Sequence, residues 1–153
     1  MPIEARCSKY RRTNLKFYIG LFVVLALWFG YDGYFSTSFK EKHVDRDGKP
    51  DNTLVFNQKS PPVFLAAVVL LGGYFAVVRN KKIVADENEL VISEKEKIPY
   101  DTIQKIDKTF FDKKGFFVLT YTDKNGSQIN RKISSRKYDN LRAVLDHLVV
   151  KIS

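Results

Sequence analysis

The stretch SPPVFLAAVVLLGGYFAVV, from Ser60 to Val78, runs for 19 residues without a charge. At a rise of about 1.5 Å per residue, such a helix spans a hydrocarbon core of about 30 Å. Arg79, Lys81 and Lys82 close the run, and Pro61 with Pro62 is expected at its first turn, where a missing N–H costs least. The run has no polar face, and the rest of the chain is too small to wrap it on all sides. The whole chain has 153 residues, with 26 Lys and Arg against 17 Asp and Glu and a net charge of +9. Its 44% apolar and 14% aromatic content excludes a disordered acidic tail or a low-complexity repeat.

A second charge-free block, FYIGLFVVLALWFGY, covers Phe17 to Tyr31. Lys16 can snorkel before it, and Gly33, Tyr34 and Phe35 extend it past the single charge of Asp32. Tyr18, Trp28, Tyr31, Tyr34 and Tyr74 stand toward the block ends, as interfacial aromatics do. A basic start followed by a short apolar run also describes a signal peptide, but Tyr31 to Ser36 offers no small-x-small cleavage site, so an uncleaved anchor is expected. The N-terminal segment holds Arg6, Lys9, Arg11, Arg12 and Lys16 against Glu4, and the exit of the Ser60–Val78 run is basic too. Two spans put both ends on one side, and the clustered cations make that side the cytoplasm. The expected organisation is a basic cytoplasmic tail (1–16), a first transmembrane helix (17–35), a non-cytoplasmic loop (36–59), a second transmembrane helix (60–78) and a cytoplasmic domain (79–153).

In the loop, DRDGKPDN (Asp45 to Asn52) alternates acids as a calcium loop does. It lacks the closing Glu and the flanking helices, so a solvated turn is expected. After Lys82 the pattern becomes short β segments: Ile83 to Ala85, Glu89 to Ser93, Lys97 to Tyr100, Thr102 to Phe111, Gly115 to Thr122 and Gln128 to Ser134. Asp123-Lys124-Asn125-Gly126 is the strongest hairpin signal, with Asn125 and Gly126 both suited to positive φ. A terminal helix is expected from a Ser134 or Ser135 cap, because Tyr138, Leu141, Val144, Leu145, Leu148, Val149 and Ile152 recur at three- and four-residue spacing. The fold class expected is a membrane protein, a two-helix transmembrane hairpin carrying an α+β antiparallel half-barrel with one C-terminal helix.

The order of these elements, with Ile98, Pro99, Tyr100 and Ile103 forming an I-P-aromatic-x-x-I segment before a strand, resembles the bacterial pleckstrin-homology-like (PH-like) domains of small membrane proteins. The resemblance covers about Lys81 to Ile152. It implies a barrel plugged by the final helix and set behind a pair of spans in the bacterial inner membrane. Its relatives are mostly binding scaffolds rather than enzymes.

Few residues are suited to chemistry. One cysteine, Cys7, excludes an internal disulfide framework and a multi-cysteine zinc site, and the two histidines leave little for a metal centre. His147 on the terminal helix reads as a boundary histidine. Cys7 reads as an idle thiol, with palmitoylation or a lowered thiol pKa as the rarer alternatives. No Gly-rich phosphate loop or nucleophile elbow occurs. No enzyme activity, cofactor, metal, nucleic acid or small-molecule substrate is expected.

Two surfaces stand out. Gly72, Gly73 and Ala76 give the second span a small-residue face, which either packs on the first span through Gly20 or Gly30 or docks on another membrane protein. Lys105, Lys108, Lys113, Lys114, Arg131, Lys132, Arg136 and Lys137 crowd two strands and their turns, as a surface for lipid headgroups or an acidic partner, or as a plain solvated face. The expected function is a non-catalytic accessory or assembly subunit of a larger membrane complex, with other integral membrane subunits as partners. The alternative is a stand-alone membrane sensor binding anionic lipid headgroups.

Overall fold

The computed structural model describes residues 2–152. In chain order it forms β1 (Ile3–Arg6), α1 (Lys9–Gly30), a π-helical turn (Tyr31–Phe35), α2 (Thr37–Lys42), α3 (Asn52–Val78), β2 (Lys82–Ala85), β3 (Glu89–Ser93), β4 (Glu96–Pro99), a 3₁₀ turn (Tyr100–Thr102), β5 (Ile103–Asp107), α4 (Phe111–Lys114), β6 (Phe116–Thr122), β7 (Gln128–Ser134) and α5 (Leu141–Ile152). The chain divides into two compact units, one made of the chain up to Arg12 together with everything from Val77 on, the other of Thr13–Ala76.

The first unit contains two antiparallel sheets, β1-β2-β3-β4 and β5-β6-β7, with α5 packed against the core. Its founding strand is a finding the sequence reading did not anticipate. Ile3–Arg6 is part of a sheet and not of a basic tail: Ile3 pairs with Ala85 and Arg6 with Lys82. The alternation explains why: Ala5, Ile83 and Ala85 point inward with no exposure, while Glu4, Arg6 and Lys82 stay outside. Leu90, Ile98, Phe117 and Leu119 join them, and α5 lays Leu141, Val144, Leu145 and Leu148 over this core at the 3.6-residue period. Each such side chain, fully buried, stabilises the fold by about 1.5–3 kcal/mol.

Three features of this unit differ from expectation. The terminal helix begins at Leu141 because the preceding segment is used as an edge. Tyr138 bridges to Cys7, Ser8 donates its N–H to the Lys137 carbonyl at 2.9 Å and its hydroxyl to the Arg136 carbonyl at 2.6 Å, and Asp139 N–H returns to the Arg6 carbonyl at 2.9 Å. β5 stops at Asp107, whose side chain accepts the Thr109 N–H, and the chain then makes the single turn α4, ended by Gly115 at φ 68°. A Cβ at Gly115 would make the Ser135 hydroxyl rotate away, and it is the positive φ that demands glycine there. In the β6–β7 turn only Gly126 takes positive φ; Asn125 does not, because Asp123 Oδ1 accepts the Asn125 and Ser127 N–H groups and sets a different turn.

The second unit is helical. The helical stretches Lys9–Phe35 and Asn52–Val78 are each long and apolar enough to cross a membrane. α3 begins at Asn52, under an Asp51 cap that accepts the Leu54 N–H at 2.9 Å, so Pro61 and Pro62 lie inside it and not at its start. Each proline removes one N–H and orphans the carbonyl four residues earlier, here those of Asn57 and Gln58. The π turn answers the second loss: Tyr34 donates its hydroxyl to the Gln58 carbonyl at 2.7 Å. Gln58 Nε2 in turn donates to the Gly33 carbonyl at 3.2 Å. Phe29 packs edge-on to Phe56 and beside Phe64, and Phe22 also meets Phe64, which makes an aromatic seam between α1 and α3. The lone acid just past the Phe17–Tyr31 block, Asp32, accepts the Trp28 indole N–H at 3.0 Å.

Candidate functional site

The helix-packing face and the basic surface are built differently, the first on the helical unit and the second on the sheet unit. Within the helical unit, the close approach occurs at Gly33, where an added Cβ would stand 2.8 Å from the Asn57 carbonyl carbon and oxygen. Gly30 has only an ordinary contact, 3.7 Å to Pro61. Around Gly20, Gly72 and Gly73 there is open space, and Ala76 is exposed. The small-residue face of α3 is therefore not consumed by α1, and Gly33, the position that is, lies where sequence reading marked only the tail of a span. Its signal was indirect, a glycine beside the lone charge in an otherwise apolar block. Val63, Leu65, Val69, Leu70 and Val77 remain more than half exposed along the same helix.

Of the eight cations singled out in the sequence, four are gathered. Lys113, Lys114, Lys132 and Arg136 line a shallow cleft of about 410 Å³ with Phe116 and Ser134. The hairpin register positions them, since β6 and β7 pair from Phe116↔Ser134 to Thr122↔Gln128. Lys132 Nζ lies 3.7 Å above the Phe116 ring centroid, Lys114 Nζ 4.8 Å above Phe110, and the two rings stack at 5.6 Å. Such cation–π contacts hold the ammonium groups over a platform while leaving them wet. Lys105, Lys108, Arg131 and Lys137 do not line this cleft. Arg131 is paired with Glu96 at 2.7 Å. Arg142 and Asp112 form an ion pair between α5 and α4.

The residues best suited to chemistry have structural employment. His147 Nε2 faces the Asp86 carbonyl at 3.1 Å, which requires the tautomer that donates there, and Tyr100 donates its hydroxyl to the same oxygen at 2.7 Å. Burial, then the charges of Asp86 and Glu89, push the Tyr100 phenol up to about 12. Cys7 is 1% exposed, so its thiol is held inside and not displayed on a tail. In the 45–52 loop, Asp45 accepts the Asp47 and Lys49 N–H groups, and Asp51 accepts from His43 Nδ1 at 2.7 Å besides capping α3. Those bonds hold the Asp51 carboxyl below its ordinary value, the Leu54 N–H contributing most. Among the described residues, no three His, Cys, Asp or Glu side chains gather as a metal-binding set.

A second basic cleft escaped the sequence reading, because its residues lie some 70 positions apart and were read for orientation only. Arg6, Arg12, Arg79, Lys81 and Lys82 line it with Glu4. The hydrogen bond from Lys82, and then the one from Arg6, hold the Glu4 carboxyl below its ordinary value. No family model, no curated protein and no solved structure matches this chain.

Proposed function

We infer that this chain is a non-catalytic accessory or assembly subunit of a larger membrane complex, docking through its helical hairpin and its PH-like domain. The observation that carries this reading is the bare face of α3: Gly72 and Gly73 have open space where a side chain would stand, while the hairpin closes on itself elsewhere, at Gly33. A small-residue face admits a second helix to backbone distance. Among the described residues, seven strands in sheets of four and three, with a terminal helix packed on their core, support the PH-like assignment. The structural employment of His147 and Cys7 supports a role without catalysis.

The β1–β2 pairing supports the hairpin topology on physical grounds. Arg6 is the cross-strand partner of Lys82, yet both long apolar helices lie between them in the chain. Two spans inserted as a hairpin return the chain to the side it left, so the ladder can form; a single span would strand β1 across the bilayer. With the cations flanking both spans, the side shared by the two ends is the cytoplasm of a bacterial inner membrane. The test is purification in mild detergent followed by mass spectrometry. A stoichiometric membrane partner that is lost when Gly73 and Ala76 are both changed to Leu upholds the reading, and a solitary species contradicts it.

A second reading rests on the cleft around Phe116, where four cations meet. In it the protein is a stand-alone sensor whose domain reads anionic headgroups. It requires that charge reversal at Lys113 and Lys132 abolish binding of the domain to anionic vesicles.

A further inference from the structure

The second basic cleft, about 400 Å³ in volume, is built by strand pairing rather than by flexible loops. Arg6 and Lys82 stand directly opposite each other in the β1–β2 ladder, and Cys7 N–H extends that ladder to the Lys81 carbonyl at 2.8 Å. Like charges opposed across an antiparallel pair destabilise it. Glu4, on the same outward face, bonds to both and offsets part of that repulsion. Arg12, Arg79 and Lys81 also face the cleft and have no ion-pair partner among the described residues. Five cations thus converge on one carboxylate, a concentration of positive potential that the fold itself does not need. The N-terminus of α1 is not the attraction, since the Ser8 hydroxyl takes the Arg11 N–H at 3.1 Å and Asp139 takes the Lys9 N–H at 2.8 Å.

We propose that this cleft binds the phosphate of an anionic phospholipid headgroup from the leaflet at which the two apolar helices end. The chain supplies the placement. Arg12 lies five residues before the charge-free run that begins at Phe17, and Arg79 directly follows Val78, the last residue of α3. Cations at the ends of two spans sit at headgroup depth, where the polar phosphates are. Arg12 and Arg79 offer planar forks that match phosphate oxygens in pairs, and Lys81 adds a point charge. The chemistry is that of a phosphate ester, and the lipid is its source. The inference rests on the membrane reading above and concerns residues different from those around Phe116.

The test uses the full-length protein in mild detergent, with lipid retention followed by native mass spectrometry. Phosphatidylglycerol is retained in preference to phosphatidylcholine. The double variant Arg12→Gln with Arg79→Gln weakens that retention about 30-fold, as removal of two headgroup-level charges requires. Both side chains are exposed, so the fold tolerates the change. The control Lys124→Gln with Lys151→Gln, two exposed cations that line neither basic cleft, leaves retention unchanged. Equal retention of phosphatidylcholine, an unaltered Arg12/Arg79 variant, or equal losses in both double variants overturns the proposal. Displacement of the lipid by an equal concentration of glycerol phosphate overturns the leaflet as source. Release of the protein from membranes by alkaline carbonate contradicts the membrane reading itself, whereas an embedded protein indifferent to Arg12 and Arg79 contradicts only this inference.

Discussion

Tyr34 donates its hydroxyl to the carbonyl oxygen of Gln58 at 2.7 Å, and that carbonyl is the one Pro62 leaves without a helical donor. The π turn at Tyr31–Phe35 thus repairs a defect that the proline pair makes in the neighbouring helix. Breaking the bond by Tyr34→Phe should lower the stability of the helical unit by about 0.5–1.5 kcal/mol. In a Pro62→Ala background the helix supplies its own donor, so Tyr34→Phe should cost little. Unfolding of all four variants in detergent gives the double-mutant cycle, and an equal cost in both backgrounds would refute the pairing.

The same geometry makes the glycines unequal. Gly33→Val places a side chain against the Asn57 backbone, which must shift, and should destabilise the hairpin by about 1–3 kcal/mol. Gly20→Ala and Gly72→Ala meet open space and should leave the stability of the isolated protein unchanged or slightly raised. Thermal unfolding in detergent ranks the three. A Gly72→Ala as damaging as Gly33→Val would show that α1 and α3 pack through the other face.

The N-terminal strand belongs to the folding core of the sheet unit. Ala5→Asp would bury an unpaired carboxylate at a position with no exposure, at a cost of several kcal/mol against a domain stability of about 5–15 kcal/mol. Residues 79–153 alone should therefore be poorly folded. Joining Cys7 to Lys81 through a two-residue Asn-Gly turn, which their hydrogen bond at 2.8 Å permits, should give a soluble and cooperatively unfolding domain. Amide dispersion in an NMR spectrum distinguishes the two constructions. A well-folded 79–153 fragment would show that β1 is dispensable.

Tyr100 makes the sheet unit sensitive to alkali. Its folded pKa of about 12 exceeds the ordinary 10.0, so the fold favours the neutral phenol. That contribution is complete below about pH 10 and is lost as pH rises toward 12, because the unfolded chain releases its proton first. Tyr121 and Tyr138 are pushed up as well, chiefly by burial, and add to the same slope. Tyr100→Phe should flatten the fall in stability across this window, although it loses the bond to Asp86 at every pH. Urea unfolding between pH 9 and 12 measures the slope, and an unchanged slope in the variant would contradict the assignment.

Much of this fold was legible because it depends on short-range pattern. The β3, β6 and β7 strands follow alternation, the α5 face follows a 3.6-residue period, and the two apolar helices follow uninterrupted runs. What escaped depends on partners remote in sequence. IEAR is four residues long and amphipathic only against Lys82–Ala85, so nothing local distinguishes it from a charged tail. Pro61 and Pro62 read as a helix start because Tyr34, which meets the cost of Pro62 inside the helix, lies 28 positions before it in the chain. The eight cations shared a sign but not a place, since burial of Phe117 and Ile133 decides which strand faces turn outward together. The cleft at Arg6 and Arg79 was hidden for the same reason as β1.

The most direct measurement is the composition of the native particle. Purified in mild detergent at its natural abundance, the protein should travel with at least one integral membrane protein in fixed ratio. The pair Gly73→Leu with Ala76→Leu should release it while leaving its own unfolding temperature in place, since neither position touches the hairpin's close contact at Gly33. A lone, monodisperse species with wild-type residues, or a partner indifferent to that pair of substitutions, would contradict the account of a subunit that docks through α3.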